Sequence, residues 1–428
     1  MTNITDLTIA YVAPPLAGHL FPQLQLARYL KSQGFDNQRF FSCPKMQSAV
    51  EADGIGFTPI LADKENEVLA ISLTDAPVMS RLSGMFAMVK NTLAVMRQFS
   101  EELNEHWTND KPDLVIVDHL SPFAGVIAEK LGIPWWTAIV SPELIEAKQG
   151  PPSFCGSLQP AKNLFGRCRN AFFRGVVRCF KKTVFQLFRK QITELGIKTI
   201  YRPDGTESYF SSEIILGLAV QELEFDLGFP KAMRWVGPCP ESPKRDVPPP
   251  EYEAGKKHIL ITLGTQIPWA REKHETLFQR VAGLCPDTVF HFTRGKVYDE
   301  TPKSGNTLVP GNLRFYEYIP YTAETFSHYD VIVHHCGIGA YYTAIEAAVP
   351  QLLLPQDFDQ HDCAARLTYH GLGLRAKETP QDVVKKLQAL LSESTYKEKS
   401  LEFQKIVQRY HSGKAYLELI KERFGTHE

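Results

Sequence analysis

Short runs of consecutive apolar residues alternate with longer stretches of helical periodicity along this chain, the pattern of parallel strands buried on both faces and joined by helices. Residues 7–13 are the first run and end at Pro14-Pro15; the loop Leu16-Ala17-Gly18-His19 leads to a helix predicted over 22–33 and stopped by Gly34. Phe40-Phe41-Ser42 reads as a second strand, 53–80 as irregular, and 83–107 as a helix with Met85, Met88, Leu93, Met96 and Phe99 at about helical spacing. Residues 114–118, LVIVD, form a strand ending at Asp118. A helix over 123–131 stops at Gly132, and 133–140 is a strand carrying Trp135 and Trp136.

Six prolines between Pro238 and Pro250, mixed with charges, read as a semi-stiff linker. A second α/β region then begins with a strand over 258–263 and the turn Gly264-Thr265, followed by strands at 289–293 and 313–319. Within 331–360 the order is strand, His334-His335-Cys336-Gly337-Ile338-Gly339 turn, helix over 340–348, strand over 351–354, and a polar loop ending Asp357-Phe358-Asp359-Gln360. Beyond it the chain reads as helical to its end, with Tyr416-Leu417 and Ile420 at helical spacing. The resulting organisation is an N-terminal domain over 1–238, a linker over 239–255, a C-terminal domain over 256–410 and a last helix over 411–428.

One stretch breaks the even charge pattern. Residues 147–193 contain no Asp or Glu, ten Lys or Arg and seven Phe. Phe173, Val177, Phe180, Val184 and Leu187 share a helical face opposite Arg167, Arg174, Arg178 and Lys182, so 162–190 is a candidate for peripheral contact with an anionic membrane, or for a cover over an apolar acceptor site.

A net charge of −1 and 43% hydrophobic residues suit a soluble globular chain of two domains and argue against nucleic-acid binding. No run of about 18 apolar residues occurs, and the first residues lack a basic n-region, so the expected location is cytoplasmic, with the basic stretch as the contact to the inner membrane surface. Eight scattered cysteines without a C-x2-C pair predict reduced thiols, with neither zinc nor a disulfide framework.

The chemistry concentrates at the strand ends. A glycine-rich turn before a helix gathers N–H groups and the positive end of the helix dipole around an anion, with phosphate the natural guest. His335 adds a donor to a diphosphate, Gly264 and Thr265 a second contact, and Asp359 with Gln360 a carboxylate and an amide suited to vicinal sugar hydroxyls. His19 and Asp118 both belong to the crevice at the carboxyl ends of their strands, and His119 is a rival to Asp118. Trp135 and Trp136 fit an acceptor-pocket wall or plain core, and Met85 fits either as well.

The run His335-x-Gly337-x-Gly339-x4-Ala344, with Val349-Pro350, Pro355, Asp359-Gln360, Ala364-x-Arg366 and Gly371-x-Gly373, resembles the donor-binding signature of the UDP-glycosyltransferase superfamily, inverting glycosyltransferases of the GT-B fold. Gly18-His19-x-x-Pro22-x3-Leu26-Ala27 resembles the family's first loop, and the bacterial-type features are similar to those of the rhamnosyltransferases of rhamnolipid synthesis. The resemblance implies two Rossmann-like, doubly wound parallel-sheet domains facing across a cleft, with the last helix crossing back to the first. It makes His19 the general base and Asp118 its support. Donor contacts then fall to Gly264, Thr265, Tyr318 (stacking on the base), His335, Gly337, Gly339, Ala340, Thr343, Asp359 and Gln360. Acceptor contacts fall to Met85, Phe154, Trp135 and Trp136. No metal and no cofactor is implied: the donor substrate is a UDP- or dTDP-hexose and the acceptor a small lipophilic molecule. Cys363, Ala340 and Thr343 depart from the commoner Asn, Ser or Thr, and Glu, which leaves UDP and dTDP both open. A sugar-nucleotide epimerase on the same fold and a catalytically silent sugar-nucleotide sensor are the competing readings.

Overall fold

A computed structural model of the chain describes residues 4–72, 77–78, 82–240, 247, 249–264, 268–294 and 310–425. It divides into two compact units: unit 1 is Met1–Ser72, Arg81–Cys239 and Tyr410–Glu428, and unit 2 is Leu73–Ser80 and Pro240–Arg409.

Among the described residues, unit 1 has seven strands, β1 (Ile9–Val12), β2 (Gln38–Ser42), β3 (Gly56–Pro59), β4 (Leu114–Asp118), β5 (Trp135–Ile139), β6 (Ile215–Gly217) and β7 (Met233–Trp235). They pair in the order β3-β2-β1-β4-β5-β6-β7, every pair parallel. Unit 2 contains β8 (Lys257–Thr262), β9 (Thr288–Thr293), β10 (Leu313–Tyr316), β11 (Val331–His334), β12 (Gln351–Leu353) and β13 (Gly373–Arg375), ordered β10-β9-β8-β11-β12-β13, again all parallel. Each sheet therefore reverses its order once, between β1 and β4 in unit 1 and between β8 and β11 in unit 2. Doubly wound sheets bind ligands outside the strand ends at such a reversal, because the loops on either side diverge and leave a crevice.

The strands bury β-branched and aromatic residues on both faces. Val12, Val115, Val117 and Phe41 join Phe99, Leu103 and Trp107 of the helix Leu82–Asn109 in one core of unit 1. Ile259, Ile261, Phe290 and Val333 pack with Phe278 and Val281 of the helix Pro268–Leu284 in unit 2. Strand β13 passes so close to β12 that a Cβ on Gly373 would lie 2.2 Å from the Gln351 carbonyl oxygen, which only glycine permits.

The helix Ser412–Phe424 belongs to unit 1. Gly413 lies against Tyr29 of the helix Ala17–Ser32, and the buried Tyr416 meets Trp136 edge-on and brings its hydroxyl 3.3 Å from that of Tyr11. Among the described residues no helix is long and apolar enough to cross a membrane.

The basic helix Leu164–Leu187 is packed differently from its sequence reading. Phe173, Val177, Phe180 and Val184 do turn partly inward, with Phe180 6.1 Å from Phe86. Arg174 and Arg178, placed by periodicity on the opposite face, are held on the same side: Arg174 donates to the Gly150 carbonyl, and Arg178 pairs with Glu146 at 2.9 Å. Leu187, assigned to the inner stripe, is exposed.

Candidate functional site

In unit 1 the helix after β1 begins at Ala17, not Pro22, and carries Pro22 inside it. His19 consequently sits in the first helical turn, with Gln23 four residues on and one turn below, on the same face. Asp118 is the last residue of β4, across the order reversal from β1. His19 Nδ1 stands 3.2 Å from both carboxylate oxygens, Gln23 Nε2 donates to Oδ2 at 3.3 Å, and the Leu120 amide donates to Oδ1 at 2.9 Å. The carboxylate is 1% exposed and His19 15%. Burial by itself would raise the Asp118 pKa. The facing imidazoles of His19 and His119, the His19 hydrogen bond and the Leu120 amide together outweigh it and hold the carboxyl below its ordinary value. An ionised Asp118 fixes the Nδ1–H tautomer of His19 and leaves Nε2 as the basic nitrogen. His119 lies 3.7 Å from Asp118 Oδ1, its ring 5.1 Å from that of His19. His19, Asp118 and His119 offer ligand atoms within 4.8 Å of one another, so among the described residues of this unit they are a set that a divalent cation could also use.

Trp136 is fully buried against Tyr416, and Trp135 lies so flat on the helix Pro122–Lys130 that a Cβ on Gly125 would come within 2.6 Å of its ring. Both rings thus pack within unit 1, Trp136 fully buried and Trp135 half-buried. Met85 is half-buried on the helix Leu82–Asn109, and Phe154 is an exposed loop residue with φ +59°.

Unit 2 places its candidates at the matching reversal. Gly264 follows β8 with φ +65°, and His335 follows β11. Thr265 lies outside the described residues. The His335 ring fills the space between two glycines: an ideal Cβ would come within 2.6 Å of the ring at Gly264 and 2.5 Å at Gly337. Burial, with the charges of His334 and His274 in the same sense and a backbone hydrogen bond at Thr262 opposing, pushes its pKa down to about 3. The imidazole is therefore neutral near pH 7 and acts as a dipolar donor or acceptor, not as a cation. Its Nδ1 finds no partner among the described residues. His334 supports the turn by accepting from the Cys336 amide at 3.0 Å and holding Gln351 Oε1 at 2.8 Å. Cys336 itself has φ +72°, an unusual conformation for a residue with a side chain.

The helix Ile338–Glu346 starts immediately afterwards, and its N-cap, Gly337, has no side chain to satisfy the first-turn amides. Gly339 lies against Tyr321, whose hydroxyl pairs with Thr262. Ala340 and Thr343 are buried, and the Thr343 hydroxyl donates to the Gly339 carbonyl at 2.7 Å. Tyr318 is half-buried in the loop after β10. Asp359 precedes the helix Gln360–Tyr369, with no side-chain cap bond. Gln360 Oε1 accepts from the Gln356 and Asp357 amides at 2.8 and 3.2 Å, so this oxygen shapes the loop and only its amide nitrogen remains for a ligand.

Two supports escaped sequence reasoning. Gln23 was legible from its four-residue spacing to His19 once the helix start is placed correctly. The cluster of Gln356 and His274 on Glu378 bridges three separate elements, and no local pattern announces it.

Comparison with known proteins gives a consistent picture. The family "Erythromycin biosynthesis protein CIII-like, C-terminal domain" matches residues 296–408. The chain is 23% identical over 404 residues to 4'-demethylrebeccamycin synthase of Lentzea aerocolonigenes, covering 90% of this chain and 91% of that one. It is 23% identical over 396 residues to zeaxanthin glucosyltransferase of Pseudescherichia vulneris, covering 90% of each. Among solved structures, the glycotransferase of kitacinnamycin superposes with a TM-score of 0.72 at 21% identity, covering 98% of this chain and 99% of the other. A Streptomyces sp. SF2575 glycosyltransferase complexed with thymidine diphosphate superposes with a TM-score of 0.65 at 17% identity, covering 97% and 99%.

Proposed function

We propose that the chain, which has the GT-B fold, is a member of the UDP-glycosyltransferase superfamily and an inverting, metal-independent glycosyltransferase moving a hexose from a UDP- or dTDP-sugar to a hydroxyl of a small lipophilic acceptor. The observation that carries this reading is the His19–Asp118 contact at the order reversal of unit 1. His19 Nε2 takes the acceptor proton as the hydroxyl oxygen attacks the anomeric carbon. The bond from that carbon to the diphosphate breaks on the opposite face, the diphosphate leaves with the electron pair, and the centre inverts. Asp118 keeps the imidazole in the required tautomer and stabilises the imidazolium that forms.

The nucleotide belongs to unit 2. Its diphosphate meets the uncapped amides of the helix Ile338–Glu346 and the neutral His335 ring, with Gly264 permitting close approach. Asp359 and the Gln360 amide take sugar hydroxyls, and Tyr318 stacks on the base. Support for the donor comes from the neighbour that holds thymidine diphosphate, and support for a lipophilic acceptor from the relatives named for rebeccamycin and zeaxanthin.

The test is turnover in EDTA with a panel of hydroxyl acceptors, beside calorimetric binding of UDP and dTDP. His19→Ala abolishes transfer and leaves nucleotide binding within about twofold. Asp118→Asn keeps the shape and removes a charged hydrogen-bond partner worth about 1.5–3 kcal/mol, so turnover falls about 10- to 150-fold. Wild-type turnover in His19→Ala refutes the mechanism.

A further inference from the structure

The outer face of the helix Leu164–Leu187 carries a stripe that the rest of unit 1 does not cover. Leu164, Phe165, Phe172, Val176 and Leu187 are 75, 81, 67, 45 and 62% exposed. From Phe165 they recur at steps of seven, four and eleven residues, which keeps them on one side of a helix. The side opposite is already anchored: Asn163 caps the helix start through the Gly166 amide, Arg178 pairs with Glu146 and covers the Tyr201 ring at 4.2 Å, and Lys181 pairs with Glu207 at 2.7 Å. The exposed stripe is thus a feature of a fixed helix. It is not a face waiting for a fold partner.

Charge indicates what covers it. Lys162, Arg167, Lys182, Arg189 and Lys190 are exposed along the same helix and its continuation, and no acid occurs anywhere in 147–193. A second copy placed on this face would set cations against cations. A planar anionic surface offers hydrocarbon to the phenylalanines and phosphate to the flanking cations at once, and a stripe of 24 residues, about 35 Å long, suits a plane better than a groove. We propose that this helix is a docking surface for an anionic lipid bilayer, lying in the interface with Phe165 and Phe172 inserted and Lys182, Arg189 and Lys190 at the headgroups. The proposal stands independently of the transferase reading, since neither His19 nor the nucleotide turn enters it.

The experiment is co-sedimentation of the full chain with vesicles of phosphatidylcholine alone and with about 30% phosphatidylglycerol, in low and high salt. Each cation near such a surface multiplies binding about fivefold. The wild type therefore pellets at least tenfold better with anionic vesicles, and 0.5 M salt weakens the preference. Lys182→Glu/Arg189→Glu/Lys190→Glu removes the preference, and Phe165→Ser/Phe172→Ser lowers pelleting severalfold. All five positions are exposed, so melting temperatures stay near that of the wild type and exclude misfolding as the cause. Equal pelleting with neutral and anionic vesicles overturns the proposal, as does anionic binding that Phe165→Ser/Phe172→Ser leaves intact. A dimer in sedimentation equilibrium that this variant dissociates, with no vesicle binding by the wild type, gives the face to a second copy and overturns it too.

Discussion

Replacing Gly337 with alanine measures how tightly the phosphate turn holds His335. Gly337 has φ −68° and ψ 139°, a conformation alanine adopts freely, so the backbone adds no strain. The cost arises at one contact. An ideal Cβ would stand 2.5 Å from His335 Nε2 and 2.8 Å from Cε1, where about 3.5–4.0 Å is comfortable for carbon. The ring is buried and also hemmed by Gly264, so it relieves the clash only by shifting other atoms. Overpacking of this kind costs about 1–3 kcal/mol. Alanine returns about 0.5 kcal/mol through the unfolded state, leaving a net destabilisation of about 0.5–2.5 kcal/mol. At about 2–4 °C per kcal/mol for a unit of this size, melting falls by about 1–10 °C. A double-mutant cycle isolates the cause: in a His335→Ala background the methyl enters vacated space, and Gly337→Ala becomes neutral or stabilising, a coupling of about 1–2 kcal/mol. Differential scanning calorimetry of the four proteins reads it, and calorimetric titration of dTDP reports weaker binding for Gly337→Ala because the turn has moved. Equal melting losses in both backgrounds would refute the argument that His335 is the reason for glycine at 337.

Two further outcomes follow from buried polar groups. Burial, with minor help from the charges of His258 and Arg314, brings the His291 pKa down to about 4, and burial brings His334 to about 4 against the pull of Gln351. The folded chain then binds fewer protons than the unfolded chain between pH 6.5 and 4, so the stability from these groups is complete above 6.5 and is lost as the pH falls towards 4. Each such histidine accounts for about 3 kcal/mol; urea unfolding at pH 7.5 and pH 5 shows the loss, and an unchanged midpoint contradicts it. The Thr343 hydroxyl is committed to the Gly339 carbonyl, so Thr343→Val costs about 1 kcal/mol of stability and leaves the ratio of UDP to dTDP affinity within about twofold; a tenfold change by calorimetry would mean that the hydroxyl reads the ribose.

The sequence by itself determined the repeating strand and helix units and the two turns on which the proposed chemistry rests, because buried parallel strands are continuous apolar runs and phosphate turns need glycine at fixed positions. It singled out His19, Asp118 and His335 as candidates because each follows or ends such a run. Short or context-bound elements escaped it: β3 and β13 have four and three residues, too few to display a period. The helix start was placed at Pro22 because proline favours first turns, whereas the chain begins the helix at Ala17. That difference decides that His19 and Gln23 reach Asp118 from the same helix face. On the helix Leu164–Leu187 phenylalanines occur all round, so periodicity could not select the inner stripe; Glu146, Glu207 and Tyr201, distant in sequence, selected it by pairing with Arg178 and Lys181. Trp135 and Trp136 likewise went to the core because Gly125 and Tyr416 left room there. Local pattern specifies what a segment is, since it depends on neighbours within a few residues. Which face it buries, and which side chains meet, depends on contacts between segments, and those exist only once the chain has folded.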